Sequence, residues 1–175
     1  MSNLMRRGAF LLTAVFLVPL VVFTVAQVVE DVGAWWGLAV VAVTAVLVGV
    51  LSYLAAVTPR TTARWLGAGV ALLAVYVVAE SLIPGEPVGS AVPMAMTVLA
   101  LPLAVLGLRR SREAGALLLA DGLIPLLSLL VLSALSVERT GPHLASSSEY
   151  LGIPVFVGGL FFLLAWVHSQ RQHGP

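Results

Sequence analysis

The chain has 175 residues, 60% of them hydrophobic and 10% charged, with a net charge of +1 and a mean hydropathy of +1.07. A soluble domain of this size carries about a quarter of charged residues, so the composition excludes an ordinary water-soluble fold and makes lipid the expected solvent. Cysteine is absent, which excludes disulfides, thiolate metal sites and thiol catalysis.

Six apolar segments are long enough to cross a bilayer core, which takes roughly 20 residues. They cover 8–29, 34–57, 63–83, 89–108, 114–136 and 149–168 and predict an all-α fold. It is a polytopic bundle of six transmembrane helices forming a single integral membrane domain over 1–175. The first segment follows Arg6 and Arg7 and contains Pro19. Its basic start, long apolar run and small residues Thr24 and Ala26 also have the layout of a signal peptide, whose removal would leave five spans. Between the second and third segments, Thr58 and Pro59 offer a Thr cap with Pro at the first helical position. The fourth contains Pro102 and a stripe of small or polar residues at helical spacing: Gly89, Pro93, Thr97, Ala100 and Ala104. The fifth contains Asp121, Gly122 and Pro125. Before the sixth, Ser146 to Glu149 reads "SSSE", a capping box. "RWLGAGV" at 64–70 and "EYLGIPV" at 149–155 open segments three and six, a faint sign of a three-plus-three inverted repeat.

The charges set the threading. Arg6, Arg7, Arg60, Arg64, Arg109, Arg110, Arg112 and Arg171 fall on one side of the six segments, and Arg139 alone falls on the other. Glu30, Asp31, Glu86, Glu138 and Glu149 lie in or beside the opposite loops. Cytoplasmic loops carry the excess of basic residues, so both termini are expected in the cytoplasm. All four tryptophans, Trp35, Trp36, Trp65 and Trp166, fall near segment ends, where an interfacial aromatic belt puts them. Every basic residue is Arg and none is Lys. We read this as a genome bias, and the expected location is a prokaryotic plasma membrane.

Asp121 is the residue most in need of a reason. An Asp at a helix centre costs about 2.5–3.5 kcal/mol on the insertion scale, and each Leu, Ile or Val returns about 0.3–0.6. The fifth segment holds twelve of these, so it inserts with the acid in place. Nine residues beyond Arg112, Asp121 lies roughly 13 Å along the axis, near the middle of a core about 30 Å thick. An unpaired anion there is expensive, so the group is expected to be neutral, to exchange a proton or to hold a cation. Pro125 has no N–H and leaves the carbonyl four residues back, that of Asp121 itself, without its helical partner. Gly122 leaves the adjacent backbone bare. Pro102 frees the carbonyl of Val98 in the same way, and Pro19 that of Val15. The expectation is a mid-membrane polar pocket for an ion or substrate, built from Asp121, Thr97, Val98 and Val15. Pro19, Pro102, Pro125 and Gly122 open the helices around it. Interrupted helices with a midplane acid are a feature of ion- and proton-coupled transporters. The competing reading makes Asp121 a neutral hydrogen-bonding group that ties two helices together.

Other features are read as packing or anchoring. Ala45/Gly49, Gly67/Ala71, Ala100/Ala104 and Ala116/Ala120 are small-xxx-small pairs that let helices approach. Glu80, with Tyr76 one turn earlier, is expected to reach water at the outer end of its segment. His143, His168 and His173 lie in loops or tails, none at metal-ligand spacing. An intramembrane enzyme is disfavoured, because there is neither a second deep acid, nor a His within a segment, nor a metal-ligand set. The functional expectation is a small permease-like or transporter-associated bundle, without catalysis, metal or cofactor. The alternative is a non-catalytic accessory subunit of a larger membrane complex. The expected partners are the lipid bilayer and a membrane partner subunit or a second copy of the chain, with no nucleic acid.

Overall fold

The structure, a computed structural model, describes residues 2–82, 91–134 and 144–171. All of these are helical except Gly33, Thr58 and Arg110. The helices are α1 (Ser2–Val32), α2 (Ala34–Val57), α3 (Pro59–Leu82), α4 (Ala91–Arg109), α5 (Ser111–Ala134) and α6 (Leu144–Arg171). Three of them contain stretches long and apolar enough to cross a membrane, namely Ala34–Val57, Pro59–Ala79 and Gly152–Arg171, and α4 has a shorter apolar stretch, Met94–Arg109.

Local chemistry explains the one-residue links. Gly33 has φ 86° and ψ 156°, a conformation reserved for residues without a Cβ. The chain folds back there so tightly that a Cβ on Gly37 would stand 2.9 Å from the Cα of Val29. At the second link Pro59 opens α3, as the sequence predicts, because the first helical position needs no N–H. The Thr58 hydroxyl, however, turns back and donates to the Leu54 carbonyl at 3.1 Å and does not cap α3. The third link is Arg110, whose N–H still bonds Leu106 O at 2.8 Å while its carbonyl accepts from Ala114 N at 3.0 Å. α1 and α6 both extend beyond the expected segments, and at α6 the extension changes the reading of the helix start. α6 begins at Leu144, so "SSSE" lies inside the helix and is not its capping box. The expected segment 34–57 matches α2 at both ends.

α4 packs against all five other helices, and those five form a ring around it in the order α1, α2, α3, α5, α6 and back to α1. The central helix is accordingly well buried, through Met96, Ala100, Leu103, Ala104 and Leu106. Large apolar side chains instead crowd the outside of the ring: Val43, Val46 and Val50 of α2, Leu72 and Val75 of α3, and Leu160 and Leu164 of α6 are all exposed. Bulky apolar side chains thus lie outside the ring as well as inside it, where Phe162, Leu66, Leu103 and Leu118 are buried, as in a bundle with little hydrophobic drive to bury its apolar surface.

The closest packing joins α5 to α6. A Cβ on Gly122 would stand 2.6 Å from the Phe156 nitrogen and 2.8 Å from the Gly152 carbonyl oxygen. One on Gly159 would stand 2.8 Å from the Leu119 nitrogen and 2.9 Å from the Gly115 oxygen. Gly122 therefore meets Gly152, and Gly115 meets Gly159. The numbers rise on one helix as they fall on the other, so the pair is antiparallel. On each helix the two glycines are seven residues apart, two helical turns. Phe162, also from α6, is fully buried with its ring against Gly107 of α4, and the Thr13 hydroxyl of α1 fills the space beside Gly158. These contacts, with Gly67 of α3 against Leu117 of α5 and Gly69 against Leu99 of α4, bring the start of α1, the α2–α3 link, the α4–α5 link and the end of α6 to one end of the bundle. Eight arginines gather there: Arg6, Arg7, Arg60, Arg64, Arg109, Arg110, Arg112 and Arg171. Arg110 is in an ion pair with Glu113, and the Arg112 guanidinium stacks 5.1 Å from the centre of the Trp166 ring. Arg139, Glu86 and Glu138 lie outside the described residues.

Candidate buried carboxyl site

α5 has three neighbours, α3, α4 and α6, and each takes a different face. Gly115 and Gly122 face α6. Leu117, Ala120 and Ile124 face α3. The remaining stripe, Ala114, Leu118 and Asp121, is fully buried on the side of the central helix. Asp121 has a relative exposure of 0%, and neither carboxyl oxygen has a hydrogen-bond partner among the described residues. Buried side-chain oxygens nearly always have a partner, and an orphan calls for an explanation such as a functional role.

Two of the expected positions fall at one depth on neighbouring helices. Val98 lies twelve residues before the Arg110 link and Asp121 eleven after it, so on neighbouring antiparallel helices they sit within about 2 Å in depth. Pro102 and Pro125 are both buried inside their helices, so the carbonyls of Val98 and Asp121 lack the helical N–H they would otherwise accept. Thr97 is on the same helix as Val98 and is buried, at 8% exposure, but its hydroxyl does not donate to Asp121. Val15 is placed elsewhere. Its side chain is 66% exposed on the outside of α1, and α1 packs on α2, α4 and α6, across the bundle from Asp121. Pro19 lies within α1, and its side chain is outside the described residues. Gly122 has a different role from the one its sequence context suggests, since its bare backbone is covered by Gly152 and Phe156 of α6 and is not open to a ligand.

Sequence reasoning missed a third interrupted helix beside Asp121. With α6 starting at Leu144, Pro154 is interior, and it leaves the carbonyl of Tyr150 without its helical N–H. Pro125 lies against α6 here, its Cγ 3.3 Å from where a Cβ on Gly152 would be. The prolines of α5 and α6 therefore open adjacent helices at similar depth. The pairing of Gly115/Gly122 with Gly152/Gly159 would have given this register from the sequence.

The other candidates separate cleanly. Ser52 of α2 also has a buried hydroxyl oxygen without a partner, six residues before Thr58 and so closer to the arginine end than Asp121. Of the small-xxx-small pairs, only Ala100/Ala104 is fully buried, whereas Ala45/Gly49 and Ala116/Ala120 are exposed. Gly67 and Ala71 line an open apolar groove of about 430 Å³ between α3 and α5, with Ala74, Leu117, Ala120 and Ile124. His168 lies in the last turn of α6 and not in a tail, while His143, His173 and the side chain of Glu80 are outside the described residues. Among the described residues no three His, Asp or Glu side chains cluster as a metal-ligand set.

No known protein family, curated protein or solved structure matches the chain.

Proposed function

We propose that the chain crosses the plasma membrane six times, with its arginine-bearing end and both termini in the cytoplasm. In this reading it serves as a small permease-like or transporter-associated bundle, and Asp121 is the group that exchanges a proton or holds a cation at mid-depth. The observation that carries the reading is the orphaned carboxyl: Asp121 is fully buried, and both its oxygens lack a partner among the described residues. Interhelical glue requires a hydrogen bond across the interface, and neither Asp121 oxygen makes one with a described residue. Beside Asp121, carbonyls opened by Pro102, Pro125 and Pro154 supply the backbone oxygens that an intramembrane cation or hydronium site uses. The gathering of eight arginines at one end supports the orientation.

The test is reconstitution of the full chain in liposomes. An enclosed pH dye reports proton entry and radioactive sodium reports sodium entry, each against protein-free vesicles. Flux that requires protein and is lost in Asp121→Asn supports the reading. Equal flux in that variant removes Asp121 from the mechanism. A hydrophobic carbodiimide, which reacts with neutral carboxyl groups, should label Asp121 in the intact protein, and labelling should fall when sodium competes if a cation is held there.

One observation favours the second reading, an accessory subunit without turnover. The glycine contacts of α5 with α6 run through backbone atoms and leave those helices little room to move past each other. That reading expects no flux in any condition, and co-purification with a larger membrane partner.

A further inference from the structure

The groove between α3 and α5 is a concavity on the bundle surface that Asp121 does not account for. Its α3 wall is made by Gly67, Ala71 and Ala74. Continuing toward the arginine end at steps of three and four residues, the same helical face reaches Arg64 and then Arg60, because residues at those spacings stack along one side of a helix. Both arginines are exposed, and neither is in an ion pair with a described residue, in contrast to Arg110 next to them. Trp65 is exposed beside them, at the level where an aromatic ring marks the bilayer interface. The feature is thus a slot that is apolar along its length and carries two unpaired cations at one end.

The geometry points to a binding site for one anionic phospholipid, with an acyl chain along Gly67, Ala71 and Ala74 and the phosphate at Arg64 and Arg60. This rests on the six-span reading, which places Arg60 and Arg64 at the cytoplasmic headgroup level. A basic cluster at the cytoplasmic end of an interhelical groove is a recognised setting for anionic headgroups. The small α3 side chains leave a channel continuous with the bilayer. An apolar helix from another protein would account for the slot and would leave both cations without a counter-charge.

Native mass spectrometry of the full chain, purified in detergent and offered phosphatidylglycerol or phosphatidylcholine with the same acyl chains, tests the site. Phosphatidylglycerol should be retained preferentially. Arg60→Gln with Arg64→Gln should weaken its retention about thirtyfold, which is about 2 kcal/mol at 1.4 kcal/mol per decade. Ala71→Leu leaves both charges in place and blocks the slot from an exposed position, and it should weaken retention about tenfold, the loss of roughly two buried methylenes. Soluble glycerol 3-phosphate should not compete. Equal retention of the two lipids, no effect of the double variant, full competition by glycerol 3-phosphate, or crosslinking of Ala71→Cys to a co-purifying polypeptide would each overturn the proposal. An alkaline carbonate wash of membranes reports on the threading separately. Release of the protein sinks the six-span reading, whereas a retained protein without lipid selectivity sinks only the groove.

Discussion

α2 and α5 are both 24 residues long and sit at opposite extremes of the same bundle. α2 is the most apolar of the helices able to span a membrane, yet it buries only Gly37 and Ala55. α5 contains two acids, two close-contact glycines and a proline, and it buries Ser111, Ala114, Leu118, Asp121 and Pro125 in one stripe. In water this ranking would be inverted, because apolar surface would go inside. In lipid the acyl chains solvate Leu and Val as well as a protein interior does, so position in the bundle is decided by how closely a backbone can approach its neighbour and by where polar groups are tolerated. α2, the most apolar of the three candidate spans, is also the least buried of them, and glycine marks a protein contact only where a second backbone meets it, as at Gly122 and Gly152.

The comparison predicts large effects wherever α6 meets its neighbours. Phe162→Ala removes a fully buried ring seated on Gly107 and should cost about 3–5 kcal/mol, read from reversible unfolding of the protein in bicelles by added SDS. A loss under about 1 kcal/mol would mean that α4 and α6 are not packed as described. Next comes Gly122→Val. Its Cβ would collide with backbone atoms of Phe156 and Gly152 that no rotamer change can move, and the expected loss is about 3 kcal/mol. Gly159→Val should behave alike, and the double variant should be less than additive, since both force the same two helices apart.

Asp121 gives the comparison its sharpest chemical form. Replacing a buried polar group that has no partner by an apolar one of similar size removes a desolvation penalty. Asp121→Val should therefore stabilise the protein by about 1–2 kcal/mol in the same unfolding assay while abolishing any flux. If Asp121 held two helices together by a hydrogen bond, the same substitution would destabilise. Stability and transport moving in opposite directions is an outcome that a purely structural role does not produce.

The sequence made the helices legible because each is an apolar run set off by arginines, tryptophans or turn residues, and α2 was readable to the residue. It misled at α6, where three serines and a glutamate have the composition of a helix start but are carried inside a longer helix. The depth of Asp121 followed from counting residues from Arg112. Its neighbours did not follow, since depth says nothing about which side of a helix a residue occupies. Val15 shares a helix with the buried Thr13 and Leu17 and still points outward. The α5–α6 seam escaped because small residues were sought four apart, as in tightly crossing helices, whereas this nearly parallel-axis pair repeats every seven. Two glycine pairs of equal spacing on consecutive segments were the available signal.

The smallest predicted effect bears on whether α2 is alone. Gly49 lies in the small-xxx-small pair Ala45/Gly49, and a Cβ built on it meets nothing within 4 Å. Gly49→Leu should thus change the stability of the monomer by no more than about 0.5 kcal/mol, a tenth or so of the Phe162→Ala effect. If α2 faces acyl chains, that result will hold at every protein-to-lipid ratio, because lipid closes around the added side chain. If Ala45 and Gly49 instead face a second copy, the leucine will be silent in dilute bicelles and will abolish energy transfer between labelled chains as the protein is concentrated. The bare face of α2 is the mirror image of the covered face of α5. Small residues bring backbones together in both cases, and only on α5 is the partner helix part of the same chain.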